Sequence, residues 1–451
     1  LTGLLPRTHG VSDNGIDLPT ETGEAGYAGQ FTKAGYNTAF LGKAHFATHN
    51  TFAPTGSPEC RFSSADYPES WHGPFMGFNY FESIVNSHNL TRMRPLPSGL
   101  HYEYRWHGNG QSDERMKQYL TQNEPKTDAA QTWHSGLPSA YHHSSWVGDI
   151  TVRYLRDLKQ DEPFCIWASF PDPHHPFDAP EPWSHMHHPD EVDLPKHLER
   201  DLERRPWWHK AALEGLPQMA DAELVKQRTD YSRTPIQNER QLRDVVANYY
   251  SMISLIDHNV GRILNAVDEL GLAEDTIVVY STDHGDWLGD HGLLLKGPMH
   301  YEGLLRVGCI VKGPGVPKGK VVTEPVSTVD LPATFMDYGG VQPSGEMHGR
   351  TLRPLIEGDA TRDFAFNEWD LLASRCGVDL SLRTARTKTH KLTYEEGSQA
   401  GELYDLVNDP QEMDNLFDDQ GTAAIRKELL DMIRSRPDDA MAETPPQVGM
   451  A

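Results

Sequence analysis

Along residues 238–271 apolar side chains return every three or four positions, at Leu242, Val245, Val246, Tyr249, Ile253, Ile256, Val260, Ile263, Leu264 and Val267. That spacing lays a broad apolar stripe down one face and predicts the strongest helix of the chain, stopping near Gly271. The same period at Val147, Ile150, Tyr154, Leu155 and Leu158 predicts a helix over 145–159. Each of these helices leads into a short apolar stretch: PFCIWASF at 163–170 reads as a strand buried on both faces, and TIVVYS at 276–281 as a buried strand. A further helix from 22 to near Gly35 precedes a strand at 37–41. All three strands open into polar loops: Gly42-Lys43-Ala44-His45, PDPHHPF at 171–177, and Thr282-Asp283-His284-Gly285-Asp286. Alternating helices and strands predict an α/β fold with a large, mostly parallel or mixed sheet sandwiched by helices. In such a sheet the loops at the carboxyl ends of the strands share one rim, where ligands bind.

Residues 48–140 carry Pro, Gly, His and aromatic residues without sustained period and read as a long irregular excursion. Residues 179–236 read as an irregular or partly helical insertion. The pattern changes past Pro354: short strands at 380–384, 390–394 and 402–406 suggest an antiparallel meander, and 422–435 suggests a closing helix. The expected organisation is a large α/β domain over 1–350 and a small C-terminal α+β domain over 360–451, the last dozen residues forming a tail.

The chain has 451 residues, 24% charged and 37% hydrophobic, and its longest apolar runs fall far short of the ~20 residues of a membrane-spanning helix. Lys and Arg number 41 against 65 Asp and Glu, a net charge of 41 − 65 = −24 with no local basic patch, which argues against a nucleic-acid partner. An anionic substrate is still compatible, because a bound cation and a few buried basic groups reverse the sign of a pocket. The four cysteines lie far apart, without zinc-ribbon or redox spacing. Histidine stands out with 23 copies, crowded at 142–143, 174–175 and 185–188, which points to metal or acid–base chemistry.

Taken singly, Lys43 reads as readily as a solvated lysine, and His45 and His174 as ordinary loop histidines. The run from Asp283 to Gly292 is different. Asp283, His284, Asp286, Asp290 and His291 repel or stay unpaired unless they are exposed or bind a cation. Asp286, Asp290 and His291 fit a supporting role or a helix cap equally well. Trp71, His72, Asn86, His88, Trp183 and His185 fit either a substrate pocket or surface packing, and Glu402, Tyr404 and Asp405 read as structural.

The segment TIVVYSTDHGDWLGDHGLLLKGPMHYEGLLRVGCIVKGPGV resembles the hallmark of the sulfatase family in the alkaline phosphatase superfamily. GYNTAFLGKAHF, SFPDPHHPF and ELYDLVNDPQEMDNL are similar to its other signatures, in the right order and across nearly the whole chain. The opening LTGLLPRTHGV resembles the tail of the family's nucleophile motif. The resemblance therefore places ahead of Leu1 the cysteine or serine matured to formylglycine, its arginine, and a strand with two metal-binding aspartates, and it implies that residues 1–451 alone are inactive.

Residue by residue, the resemblance implies Asp283 and His284 as metal ligands, Lys43 and Lys296 as cations holding sulfate oxygens, and His45 and His174 as partners of the nucleophile and the leaving group. The implied activity is hydrolysis of a small-molecule or glycan sulfate ester, on an alkaline phosphatase-like fold, with a divalent metal. All-oxygen ligation suits calcium; His284 stands where most relatives have Asn, and an imidazole admits manganese or zinc, as in the phosphonate monoester and phosphodiester hydrolases of the superfamily. Such a hydrolase is the first alternative. A non-catalytic anion- or glycan-binding protein is the second.

Overall fold

Three parallel strands organise the first of the two compact units into which the chain divides, residues 31–195 with 235–276. The computed structural model describes residues 1–85, 100–107, 110–159, 161–232 and 234–450, so Asn86 and His88 lie outside the described residues. Strand β1 (Asn37–Lys43) is central, flanked by β2 (Tyr80–Ile84) and β3 (Phe164–Ser169). Gly42 pairs in register with Ser83 on one side and Ser169 on the other, so the three carboxyl ends lie level.

Helix α1 (His143–Asp157) packs Trp146, Val147 and Ile150 against Ala39 and Leu41 of β1 and Ile84 of β2. Its Val152 and Leu155 meet Ala266 and Val267 of α2 (Glu239–Glu269), the long helix expected from its apolar stripe. The entry to α2 is fixed by a reciprocal cap: Asn238 accepts from the Gln241 N–H while the Gln241 side chain accepts from the Asn238 N–H.

Two expectations are corrected in this unit. The excursion at 48–140 contributes β2 to the parallel sheet. Its hydrophobic pattern is interrupted by Glu82, which is nevertheless buried, because Arg153 and the Tyr80 hydroxyl both donate to its carboxylate. The strand at 163–170 is not buried on both faces. As the edge of its sheet, β3 is half-buried throughout.

The second unit comprises residues 1–30, 196–234 and 277–450. Strand β4 (Val278–Ser281) pairs antiparallel with β5 (Cys309–Lys312), and both are half-buried or exposed rather than enclosed. A separate antiparallel sheet of β6 (Phe364–Leu371), β7 (Leu380–Thr387), β8 (His390–Glu395) and β9 (Gly401–Asp405) runs in the order β9-β8-β7-β6. Helix α3 (Ala423–Arg434) covers it through Leu429 and Ile433, which pack on Ala385, Leu392 and Leu403. Strand β6 escaped the reading of the sequence for the same reason as β2: its Glu368 is buried through pairing with Arg436.

The fold is α/β, with a parallel sheet and a separate C-terminal antiparallel sheet. No described helix is long and apolar enough to cross a membrane, and no disulfide links the four cysteines.

Candidate functional site

In the first unit the candidate residues sit where the parallel strands end. Lys43 closes β1, and its carbonyl accepts a 2.6 Å hydrogen bond from the Ser169 hydroxyl at the end of β3. This close approach requires Gly42. Its φ is +121°, and a Cβ there would stand 1.9 Å from the Ser169 carbonyl oxygen. Gly42→Ala is therefore expected to destabilise the protein by at least about 2 kcal/mol, measured by chemical denaturation; an unchanged midpoint would contradict the close approach.

Two residues further on, His45 is exposed on a loop held from beneath. The buried Glu59 carboxylate accepts from the Phe46 N–H at 3.0 Å and the Ala47 N–H at 2.9 Å. Reading the sequence missed Glu59, whose only signal was a lone carboxylate in a Pro- and Gly-rich stretch.

His174 lies on the loop that leaves β3. Its Nδ1 is 2.6 Å from the His175 carbonyl oxygen. A carbonyl only accepts, so Nδ1 carries the hydrogen and Nε2 is the nitrogen left for chemistry. The two rings stack with centroids 4.1 Å apart. Two acidic residues of this loop also went unassigned in the sequence, Asp172 and Asp178, and both are buried.

Burial pushes the Asp178 carboxyl up to about 7, against a partial opposing pull from His142. A carboxyl raised in this way is held protonated by the fold. Its contribution to stability is complete below its ordinary value of about 3.9 and is lost as pH rises through about 7. Asp178→Asn keeps the shape without the ionisation, so its melting temperature should gain on wild type between about pH 5 and pH 8. A pH-independent difference in calorimetry would contradict the shift.

In the second unit Asp283, His284 and Lys296 come together. Asp283 Oδ1 accepts from the His284 N–H at 2.9 Å, and its Oδ2 lies 3.5 Å from His284 Nε2. His284 Nδ1 donates to the Gly285 carbonyl at 2.7 Å, which leaves the Nε2 lone pair facing the Lys296 ammonium at 2.9 Å. The loop between them is closed by Asp286, whose Oδ1 accepts from Leu288 N–H at 2.9 Å and Leu295 N–H at 3.0 Å and so returns the chain to Lys296. Desolvation pushes the Asp286 carboxyl up to about 7. Asp286 thus shapes the loop, and His291 is buried in a stack on Tyr301 with centroids 3.8 Å apart.

The Asp283–His284 pair fits a divalent cation. The carboxylate is largely exposed, and the imidazole is held by a backbone carbonyl in the tautomer whose Nε2 lone pair, here facing Lys296, is the one that would ligate a metal. Two other groupings among the described residues have ligand-type atoms within 4.8 Å of one another: His142 with His143 and Asp172, and His197 with Asp201 and His291. Neither has a carboxylate to spare. Asp172 accepts from His143 Nε2 and the Ser144 hydroxyl, and Asp201 is gripped at both oxygens by Arg205 at 2.9 and 2.8 Å.

The remaining aromatic candidates pack on neighbouring rings: Trp71 on Tyr67 at 4.6 Å, His72 on Tyr80 at 5.0 Å, Trp183 on His258 at 5.0 Å and His185 on His134 at 4.9 Å. Glu402 accepts from the Tyr404 hydroxyl and pairs with His209, a buried structural arrangement.

Comparison with known proteins fits this architecture. Residues 1–341 match the Sulfatase family, and residues 289–438 match the family described as N-sulphoglucosamine sulphohydrolase, C-terminal. The chain is 28% identical over 459 residues to an arylsulfatase of Clostridium perfringens, an overlap covering 96% of this chain and 81% of that protein. Among solved structures, the phosphonate monoester hydrolase of Agrobacterium radiobacter has a TM-score of 0.71 at 23% identity, covering 96% of this chain and 84% of that one. A protein solved in complex with its substrate D-glucosamine-2-N,6-O-disulfate has a TM-score of 0.64 at 20% identity, covering 99% and 87%. Such structural likeness establishes an alkaline phosphatase-like fold. The chain belongs to the sulfatase family.

Proposed function

We propose that this sulfatase hydrolyses a sulfate monoester of a small molecule or glycan, using a formylglycine nucleophile and a divalent cation. The observation that carries the reading is the arrangement of Lys296, His284 and Asp283. An ammonium hydrogen-bonded at 2.9 Å to an imidazole nitrogen, beside an exposed carboxylate, sets a fixed positive charge next to two metal-ligand types, which suits binding of an oxyanion and a cation together.

Asp283 and His284 are the residues that would hold the cation, which when bound supplies Lewis-acid stabilisation of the sulfate oxygens. A hard cation takes ~6 or more ligands, so this pair is part of a larger set. Calcium fits the family's usual oxygen ligation, and the imidazole of His284 also admits manganese or zinc.

The chain's own residues do the rest. A sulfate ester is anionic, and its transition state spreads charge over non-bridging oxygens. Lys296, held beside His284, meets that charge with an ammonium group already in place, and the family resemblance gives Lys43 the same role. His174, its Nδ1 hydrogen fixed on a backbone carbonyl, presents Nε2 and in the imidazolium form donates the proton held there to the departing oxygen. His45 is assigned to the nucleophile.

A second reading, phosphonate monoester or phosphodiester hydrolysis, is favoured by the imidazole of His284 and by the structural likeness to a phosphonate monoester hydrolase. The natural protein, expressed with a formylglycine-generating enzyme, is expected to release 4-nitrophenol from 4-nitrophenyl sulfate and to carry formylglycine in its peptide mass spectrum. Binding of a sulfated sugar without any turnover would instead support a non-catalytic glycan-binding protein.

A further inference from the structure

We propose that Asp172 is a positioning residue, clamped by the first turn of α1 so that the turn it begins presents His174 to the leaving group. The inference rests on the assignment of His174 as proton donor.

The side chain of Asp172 is 1% exposed. A carboxylate so buried persists only when its oxygens are saturated by donors. Here they are: Oδ1 accepts from His143 Nε2, Oδ2 accepts from the Ser144 hydroxyl, and His142 Nδ1 lies 3.6 Å from Oδ2. These donors stand at the beginning of a 15-residue helix, where the backbone dipole also favours an anion. The clamp thus joins the amino end of α1 to the carboxyl end of β3.

What the clamp holds is the segment carrying His174. The His174 N–H returns to the Pro171 carbonyl at 3.2 Å, closing a turn around Asp172 itself. On the far side, Phe177 is fixed by its N–H to the Gln131 carbonyl at 2.7 Å and its carbonyl to the Trp133 N–H at 3.0 Å. His174 is therefore suspended between two anchors. The far anchor is backbone; the near anchor is a side chain, so it can be severed without altering the chain path. Asp172 sits two residues from His174 and acts through it.

The leaving group distinguishes positioning from bulk stability. Proton donation matters little for 4-nitrophenolate and greatly for an alkoxide, so a displaced His174 penalises alkyl sulfates selectively. In the natural protein, Asp172→Asn is expected to lower kcat for an alkyl sulfate by roughly 10²-fold, the scale of a small misplacement of a catalytic group. It should lower kcat for 4-nitrophenyl sulfate by no more than about threefold and leave KM nearly unchanged, giving a steeper dependence of log kcat on leaving-group pKa. Ser144→Ala and His143→Phe each remove one donor; they should steepen the same slope less, and they carry the test if Asp172→Asn fails to fold. A wild-type slope, or an equal loss on every substrate, in an otherwise active series would overturn the inference while leaving the sulfatase assignment intact. A wild-type protein inactive on all sulfate esters would overturn both.

Discussion

Lys296→Ala is expected to lower kcat/KM for an aryl sulfate by about 10²-fold or more, the scale for removing one preorganised oxyanion-stabilising group. The effect of Lys296 is electrostatic. Lys296 is half-buried and comes within 2.9 Å of His284 because Asp286 ties the two ends of its loop through the N–H groups of Leu288 and Leu295. An ammonium fixed in this way needs no reorganisation as charge develops on the sulfate oxygens, whereas water entering in its place would. The loss should fall mainly on kcat, because the interaction strengthens towards the transition state. A Lys296→Ala enzyme with wild-type kcat/KM would show that Lys296 is no more than a partner of His284.

Asp283→Asn is expected to weaken divalent-metal binding by at least about 10²-fold and to lower activity at limiting metal in proportion. Replacing the carboxylate by an amide removes a full negative charge from the ligand set and leaves an amide NH₂ in its place. Changes in the shell surrounding the ligands of known metal sites already cost about 10- to 100-fold, so loss of a ligand charge should not cost less. Titration of chelator-stripped protein with Ca²⁺, Mn²⁺ and Zn²⁺ by calorimetry, compared between wild type and variant, measures it directly. Unchanged affinity for all three would remove Asp283 from the metal site.

The apolar periods of α1 and α2 and the continuous runs of β3 and β4 were legible in the sequence because a helix or strand that packs on a core must repeat its apolar positions. Two of the strands that were not legible hide buried charges: Glu82 in β2 is accounted for by Arg153, and Glu368 in β6 by Arg436. A sequence shows each such carboxylate without its distant partner, and the strand then reads as solvated. The half-buried state of β3 escaped for a related reason, since a run of apolar residues does not say whether the strand lies at an edge.

The candidate chemistry was legible unevenly. The density of Asp and His after β4 drew attention by itself, and the sulfatase resemblance added Lys43, His45, His174 and Lys296. The groups that shape those loops were less legible: Glu59 under His45 and Asp172 before His174 received no role, and Asp286 was read only as a supporting residue or a helix cap. What each one does depends on its donors, which are backbone N–H groups or residues such as His143 and Ser144, and a sequence does not show those pairings.

The measurement that bears most directly on sulfate-ester hydrolysis is the ratio of kcat/KM for 4-nitrophenyl sulfate to kcat/KM for 4-nitrophenyl phenylphosphonate, with the natural protein matured to formylglycine and loaded with its preferred metal. The predicted ratio favours the sulfate by at least about tenfold, roughly 1.4 kcal/mol of transition-state stabilisation, and falls steeply in absolute rate on both substrates with Lys296→Ala. A ratio at or below one would assign the Asp283–His284–Lys296 arrangement to phosphonate chemistry and contradict the sulfatase reading.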